Sequence, residues 1–140
     1  MSKQKITALY VRINHNGNSD ILETQIEYLK NYASKNEFDN IAVFADEGYS
    51  GNNFDRPNWN RLVAEIKNGN VETLIVKSLS RIGRNSFKVM EYQKMFLDVG
   101  VRLIAINDNL ISAEDNRVAN DLQNAIVQLC FPKRRGKIHA

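Results

Sequence analysis

The sequence predicts an α/β domain with three layers, in which helices flank a central, mainly parallel sheet of four to five strands. Short apolar, β-rich runs alternate along the chain with longer segments of helical periodicity, which is typical of βαβ units. Polar stretches follow each predicted strand. The composition is 43% hydrophobic and 25% charged over 140 residues, as expected for one globular domain.

The N-terminal part of the chain predicts two strands with a helix between them. Ile6–Ile13 is apolar and β-rich, as expected for a buried strand, and turn-forming residues follow it. Ser19 or Asp20 is predicted to cap a helix whose apolar residues recur at helical spacing. The second strand begins at Ile41 and ends at Asp46.

The middle of the chain predicts a second helix and a third strand. A polar, glycine-containing loop over 46–56 leads to Pro57, which suits the first turn of a helix. Gly69 is expected to end that helix in the left-handed conformation. Val71–Val76 is predicted as the third strand and runs directly into a polar, basic loop.

Two more helices and a fourth strand are predicted towards the C-terminus. The third helix covers Ser86–Asp98 and is closed by Gly100. Residues 101–106 are predicted as the fourth strand, and a polar stretch follows. A C-terminal helix is predicted over 113–131, where Pro132 should end it.

Several classes of protein are disfavoured by the sequence. One cysteine, Cys130, excludes an internal disulfide and zinc sites built on several cysteines. His15 and His139 are isolated, so no metal site is predicted. No apolar run approaches the ~20 residues of a membrane span, and the N-terminus lacks the apolar core of a signal peptide. We expect a cytoplasmic protein with no membrane contact.

The net charge of +3 hides an uneven distribution of charge. Residues 77–140 carry eleven bases and six acids, a net charge of +5. One basic cluster comprises Lys77, Arg81, Arg84 and Lys88. A second comprises Lys133, Arg134, Arg135 and Lys137. This asymmetry indicates a polyanionic partner such as nucleic acid, although a solvated face with a basic tail would give the same pattern.

Three arginines follow predicted strands at the edge where α/β sheets hold their functional sites. Arg12 ends the first strand, and Arg81 and Arg84 lie in the loop after the third. Guanidinium groups match phosphate oxygens in pairs and keep their charge, so they suit a phosphate ligand. The alternative is that Arg81 and Arg84 are solvent-facing residues in a polar turn.

Nucleotide cofactors are not expected. The turn after the first strand, RINHNGNSD, contains neither the dinucleotide-binding glycine pattern nor a P-loop. No acidic pair follows the first strand, as a phospho-receiver would need. An α/β enzyme for a small-molecule substrate remains a further alternative.

Four separate segments resemble one family, the serine site-specific recombinases of the resolvase/invertase group. They are residues 8–13 (ALYVRI), 46–57 (DEGYSGNNFDRP), 73–85 (TLIVKSLSRIGRN) and 104–108 (IAIND). The order, the spacing and the position at strand ends all agree with the catalytic domain of that family. The sequences of these segments are most similar to those of the family's large, transposon-type members.

The resemblance implies both an activity and an assembly. In that family a serine attacks a DNA phosphodiester, forming a 5′-phosphoserine link and releasing a 3′-hydroxyl. An arginine cluster stabilises the transition state, and neither a metal nor a nucleotide cofactor is needed. The broken ends are exchanged within a tetramer and rejoined. A long helix after the catalytic domain builds the dimer and leads to DNA-binding domains.

The family's functional positions can be carried over residue by residue. The positions matched to its catalytic residues are Tyr10, Arg12, Asn14, Gln25, Asp46, Ser50, Lys77, Arg81, Arg84, Asn107 and Asp108. The residues predicted to bind DNA phosphates are Arg12, Lys77, Arg81, Arg84 and Lys88. Arg81 and Arg84 are the strongest matches to the transition-state contacts.

The position of the nucleophile departs from the family pattern. Asn14 stands where the family's Y-x-R-[VIL]-S motif has its serine. An amide nitrogen is not a competent nucleophile for a phosphodiester, so we expect the chain to be inactive in DNA cleavage. Ser19 is explained better as a helix cap. The alternative function is a non-catalytic dimerisation or inhibitory module derived from a recombinase.

The predicted domain organisation follows from the same resemblance. Residues 1–112 are expected to form the resolvase-like catalytic domain, and residues 113–140 the truncated start of the dimerisation helix and a basic tail. No DNA-binding domain is expected within the chain. The full-length family forms homodimers and tetramers, whereas Pro132 would interrupt the helix here, so we expect a monomer or a weak dimer.

Overall fold

The computed structural model describes residues 5–14 and 19–112, which contain five strands and three α-helices. The strands are β1 (Ile6–Ile13), β2 (Ile41–Glu47), β3 (Val71–Val76), β4 (Arg102–Ala105) and β5 (Leu110–Ile111). The helices are α1 (Ser19–Lys35), α2 (Pro57–Lys67) and α3 (Ser86–Asp98). Two single turns of 3₁₀ helix, Leu79–Arg81 and Ile106–Asp108, follow β3 and β4.

The five strands form one sheet in the order β2-β1-β3-β4-β5. The first four strands are parallel, and β5 pairs antiparallel with β4. The predicted α/β fold with a mainly parallel sheet is therefore confirmed. Because parallel strands all end at the same edge, the end of β1 and the loops after β2, β3 and β4 are brought together there.

The core has two halves, one on each face of the sheet. Ala8 and Tyr10 of β1 belong to the half that includes the buried residues of α2 and α3. Leu9 and Val11 alternate with them and belong to the half under α1. Both faces of β1 are thus covered by helices, which explains why its sequence is a continuous apolar run rather than an alternating one. This arrangement gives the three predicted layers.

The predicted element boundaries are correct for β1, β3, α2 and α3. The predicted fourth strand over 101–106 is too long, because Ile106 already belongs to a 3₁₀ turn. Asn109 then adopts a left-handed conformation with φ 55°, which reverses the chain into β5. The second strand extends past Asp46 to Glu47, which pairs with Ile13 of β1. The predicted helix over 113–131 lies outside the described residues.

The helices begin and end with the local signals that the sequence contains. Pro57 occupies the first turn of α2, and the side chain of Asn85 accepts a hydrogen bond from the Lys88 backbone N–H at the start of α3. Gly69 and Gly100 follow α2 and α3 with φ of 80° and 81°, as left-handed helix ends require. Within the described ranges, no helix is long and apolar enough to span a membrane.

A tight contact between Gly83 and Phe54 fixes the loop after β3. A Cβ atom at Gly83 would lie only 2.0 Å from the Phe54 ring. That ring is itself held, because it stacks on Tyr92 of α3 with centroids 5.8 Å apart. The guanidinium of Arg56 lies 5.1 Å from the same ring centroid. The loop that carries two of the predicted phosphate-binding arginines therefore depends on a glycine at position 83.

Substituting Gly83→Ala should lower the free energy of unfolding by about 1–3 kcal/mol, because the added methyl group overpacks the Phe54 ring. Urea unfolding followed by circular dichroism measures the change. Asn52→Ala, at an exposed position in the neighbouring loop, is the control and should stay within about 0.5 kcal/mol of the parent. Equal midpoints for the parent and Gly83→Ala would contradict the contact.

Candidate active site

The loops that follow the parallel strands are joined to one another by backbone hydrogen bonds. The Arg84 N–H donates to the Gly51 carbonyl at 3.0 Å, which links the loop after β3 to the loop after β2. The Asn107 N–H donates to the Lys77 carbonyl at 2.8 Å, which links the loop after β4 to the loop after β3. These loops, residues 46–51, 77–84 and 107–109, form a polar edge that we call the strand-end rim.

Arg12 lies beneath the strand-end rim and holds its loops together. Its side chain is only 1% exposed. The guanidinium donates to the carbonyl oxygens of Tyr49 at 3.0 Å, Ser80 at 2.7 Å and Arg81 at 3.2 Å. It also donates to the Asn14 side-chain oxygen. One cation thus connects the end of β1 with the loops after β2 and β3, through donors that are spread in a fixed planar fork.

Burial, together with the positive charges of Arg56 and Arg81, lowers the pKa of Arg12 to about 10. This value still lies well above neutral pH, so Arg12 remains a cation under physiological conditions. The carbonyl oxygens around it compensate part of the cost of burying that charge.

Gly51 allows two arginines to approach each other. A Cβ atom at this position would lie 2.5 Å from Arg84 Cγ and 3.0 Å from a terminal nitrogen of Arg12. Arg84 is exposed, whereas Arg81 is half-buried and its Nε atom is buried without a hydrogen-bond partner among the described residues. The structure therefore brings together the three arginines that the sequence singles out. It places Arg12 in a buried, carbonyl-bound position.

A second buried network lies next to Arg12 and contains Asp46, Tyr10 and Arg56. The Tyr10 hydroxyl donates to Asp46 Oδ2 at 2.8 Å and accepts a hydrogen bond from Arg56 at 3.1 Å. Burial raises the pKa of Tyr10 far above its usual value, and the charge of Arg56 opposes that rise only in part. Tyr10 therefore remains a neutral phenol at physiological pH.

Asp46 also caps helix α2 from outside that helix. Its two carboxylate oxygens accept from the backbone N–H groups of Asn58 at 3.0 Å and Trp59 at 2.8 Å. The residue at the N-cap position, Arg56, makes no side-chain capping bond. A carboxylate at a helix N-terminus also interacts favourably with the helix dipole. Asp46 therefore fixes α2 relative to β2.

Sequence reasoning missed Arg56, which is completely buried. It donates to the carbonyl oxygens of Asn53 and Ile82, both at 2.6 Å. Its guanidinium also lies 5.8 Å from the Trp59 ring centroid. The one sequence signal for Arg56 was its position directly before Pro57, at the start of α2. Charge patterning alone treats Arg56 as one base within an acidic region.

The loop after β4 is tied to the loop after β3 by Asp108. Its Oδ2 atom accepts from the Leu79 backbone N–H at 2.7 Å. On the α1 side, the Lys77 ammonium lies 5.7 Å from the Tyr28 ring centroid. The Tyr28 hydroxyl in turn contacts the Asn107 side-chain oxygen at 3.4 Å. Asp108 and Asn107 thus set the position of the turn that carries Arg81.

The remaining predicted positions lie around this centre. Asn14 is exposed at the end of β1. Ser50 is exposed, and its hydroxyl accepts from the Asn52 backbone N–H at 3.0 Å, which is a local turn contact. Gln25 is half-buried on α1. Lys88 is exposed, and its ammonium lies 5.7 Å from the Phe54 ring centroid.

Within residues 5–14 and 19–112, no group of three or more histidine, cysteine or carboxylate side chains is arranged to hold a metal ion. The strand-end rim carries arginine and lysine side chains, with the Asp108 carboxylate beside them. Such a cluster of fixed cations is suited to bind a phosphate diester and to stabilise negative charge that develops on its oxygens.

Several recombinase structures are similar to this fold. The N-terminal catalytic domain of TP901-1 integrase is similar over 93% of this chain and 98% of its own, with a TM-score of 0.77 and 21% identity. A resolvase family site-specific recombinase from Streptococcus pneumoniae covers 96% of this chain and 100% of its own, with a TM-score of 0.66 and 29% identity. A serine recombinase from Sulfolobus solfataricus is similar over 97% of this chain and 91% of its own, with a TM-score of 0.62 and 26% identity.

The family described as resolvase, N-terminal domain, matches residues 7–130 of this chain. The chain therefore belongs to the resolvase family and is a serine-recombinase catalytic domain. The resemblance inferred from four sequence segments is confirmed. No curated protein matches the chain significantly.

Substituting Asp46→Ala should lower the free energy of unfolding by about 3 kcal/mol or more, because it leaves the buried Tyr10 hydroxyl and two backbone N–H groups of α2 without their acceptor. Chemical unfolding measures the loss. Asp98→Ala is the matched control, since it removes an exposed carboxylate paired with Lys94 at 3.6 Å, and it should cost less than about 0.5 kcal/mol. Equal losses for the two variants would contradict a special role for Asp46.

Proposed function

We propose that this domain binds a DNA phosphate at Arg81 and Arg84, above the buried guanidinium of Arg12. The observation that carries the proposal is the close approach of Arg84 and Arg12 at Gly51, where a side chain would separate them, together with the hydrogen bond by which Arg12 holds the Arg81 carbonyl. The two surface guanidiniums supply paired donors for phosphate oxygens. Arg12 positions the loop that carries Arg81 and adds its charge from below.

The same arrangement supports phosphoryl transfer by a metal-free route. In the family, the serine oxygen attacks phosphorus, the deoxyribose 3′-oxygen leaves with a proton, and a phosphoserine link to the 5′ end remains. Positioned cations stabilise the charge on the equatorial phosphate oxygens during such a displacement. In this chain we assign that stabilising role to Arg81 and Arg84, and a supporting role to Lys77 and Lys88.

The nucleophile position of this machinery is not a serine in this chain. Asn14 stands at the serine position, and its side-chain oxygen accepts a hydrogen bond from Arg12. An amide offers no nucleophile for a phosphodiester. We therefore propose that the domain holds a DNA phosphate without cleaving the strand.

DNA binding by this domain should be weak and sensitive to salt, because only a few phosphates contact the strand-end rim.

We assign residues 1–112 to the catalytic domain and 113–140 to the start of a dimerisation helix with a basic tail. In this proposal the domain encounters DNA in the cytoplasm as a monomer or weak dimer. The full-length family, by contrast, forms dimers and tetramers.

Substituting Asn14→Ser should restore covalent attachment to DNA, because it supplies the missing hydroxyl beside an intact arginine cluster. The variant and the parent are each fused to a DNA-binding domain of known target and incubated with a nicked duplex that traps the cleaved state. Covalent protein–DNA adducts are then detected on denaturing gels. We expect adducts from Asn14→Ser only.

The control for this experiment is the double variant Asn14→Ser with Arg81→Ala. It keeps the new hydroxyl but loses one transition-state contact, so its adduct yield should fall by about 100-fold or more. Adducts from the Asn14 parent would show that another group attacks the phosphate. They would refute the proposed lack of cleavage.

A second candidate function is inhibition of an active relative. The observation that favours it is the retained set of buried contacts around a missing nucleophile: Arg12 and Asp46 keep their hydrogen bonds although Asn14 cannot attack. A domain that folds but does not cut could occupy one position in a recombinase assembly and leave that position inactive.

Mixing this chain with an active resolvase-family recombinase should lower its recombination yield in proportion to the fraction of mixed dimers. Yield is measured on a plasmid substrate, and mixed dimers by co-purification through a tag on one partner. The Gly83→Ala variant, weakened in its fold, is the comparison and should inhibit less. Absence of co-purification would exclude this second function.

A further inference from the structure

Phe87, in the first turn of α3, places an aromatic ring in solvent. Its side chain is 78% exposed, and no other large apolar side chain in residues 5–14 and 19–112 exceeds 53%. The helix buries Val89 and Phe96, and Phe87 lies on the opposite side because successive helical residues turn by about 100°. Folding therefore gains little from an aromatic residue at this position, and the proposed phosphate site does not account for it either.

The surface around Phe87 is basic. Residues 84–88, RNSFK, are all exposed, so the ring lies between Arg84 and Lys88 in an uninterrupted exposed segment. No acidic residue occurs from position 73 to position 90. The first one on this side of α3 is Glu91, one turn further from the strand-end rim. Such a surface complements the phosphates of a nucleic acid, whereas it repels a second copy of itself.

The ring also lies close to the phosphate that the proposed function places at Arg84. Three peptide units separate Arg84 from Phe87, so their Cα atoms are no more than about 11 Å apart. One strand of DNA advances by about 3.4 Å per nucleotide. The bases that the ring can meet are therefore those within about three nucleotides of the bound phosphate.

We propose that Phe87 stacks on a base of the DNA strand whose phosphate binds at Arg84. This inference rests on the proposed function, because Arg84 supplies the anchor that brings the bases to the ring. Proteins that hold DNA through cations also use aromatic rings, which pack on unpaired bases or enter a base step of the duplex. Every base has a flat face, so this contact adds affinity for DNA without selecting a sequence.

The contact is tested by fluorescence anisotropy with the full 140-residue chain at low salt and three labelled DNAs of equal length. One is a single strand of thymidine nucleotides. The second is a single strand of abasic nucleotides, which has the same phosphates but no bases. The third is a fully paired duplex.

Three variants separate the ring from the charge. Phe87→Ala removes the ring and leaves the charge of the chain unchanged. Val99→Ala is the matched control, because it trims an exposed apolar side chain at the other end of α3, about 18 Å along the helix axis. Arg84→Ala removes the anchoring cation.

We expect the parent chain to bind the thymidine strand about tenfold more tightly than the abasic strand, a difference typical of one base stacked on an aromatic ring. Phe87→Ala should lose this preference, and Val99→Ala should keep it. The dependence of affinity on salt is a second readout. Its logarithmic slope should stay unchanged in Phe87→Ala, whereas Arg84→Ala should lower it by about one.

The paired duplex shows how the ring reaches a base. Weaker duplex binding by Phe87→Ala means that the ring enters a base step. Unchanged duplex binding, together with loss of the preference for the thymidine strand, means that the ring needs an unpaired base. Both results support the base contact.

Other outcomes overturn one proposal or the other. Equal binding of the thymidine and abasic strands by the parent, or a base preference that survives in Phe87→Ala, overturns the base contact and leaves the phosphate site in place. A base preference lost in Phe87→Ala, with full affinity in Arg84→Ala, supports the base contact and overturns the phosphate site. Absence of binding to all three DNAs overturns the proposed function and the base contact with it.

Two further measurements exclude other roles for the ring. Phe87→Ala should unfold at the same urea concentration as the parent, because an exposed side chain contributes little to stability. A marked loss of stability would assign Phe87 a structural role and overturn the proposal. Self-association in sedimentation velocity that disappears in Phe87→Ala, with unchanged affinity for all three DNAs, would assign the ring to a protein interface and also overturn it.

Discussion

The buried guanidinium of Arg12 is the interaction on which the site depends. A parallel sheet delivers four polar loops to one edge, but it does not fix how those loops sit against one another. Arg12 does so by donating to carbonyl oxygens of the loops after β2 and β3 while its own backbone belongs to β1. Removing a charge from water is costly, and the dense set of acceptors around Arg12 offsets that cost.

The network of Asp46, Tyr10 and Arg56 completes this arrangement in the core. Its single carboxylate accepts three hydrogen bonds, from a phenol and from two backbone N–H groups of α2. Arg56 extends the network to the loop that precedes Arg84 through the Ile82 carbonyl. The same few polar side chains therefore link helix α2 and the core to the loops of the site.

The sequence predicted the layers of the fold, because periodicity and strand-end loops are local signals. The ends of β1, α2 and α3 followed from apolar runs and from Pro57 and Gly100, whereas the Asn85 cap of α3 was not predicted. Other features depend on distant partners and could not be read locally. Arg56 is buried by contacts to Tyr10 and Ile82, 46 and 26 residues away. The end of β2 likewise depends on a distant partner, because Glu47 belongs to the strand through its pairing with Ile13 of β1.

Arg12 holds the loops of the site in place and, in the proposed function, also contributes charge to phosphate binding. These two roles have an evolutionary consequence. A lineage that stops cutting DNA can replace the serine at position 14 at little cost to folding, because that position is exposed at a strand end. It cannot discard Arg12 so easily, since three loop carbonyls would lose their donor. The presence of Arg12 therefore does not by itself indicate whether a resolvase-family domain cleaves DNA. The residue at position 14 is the informative one.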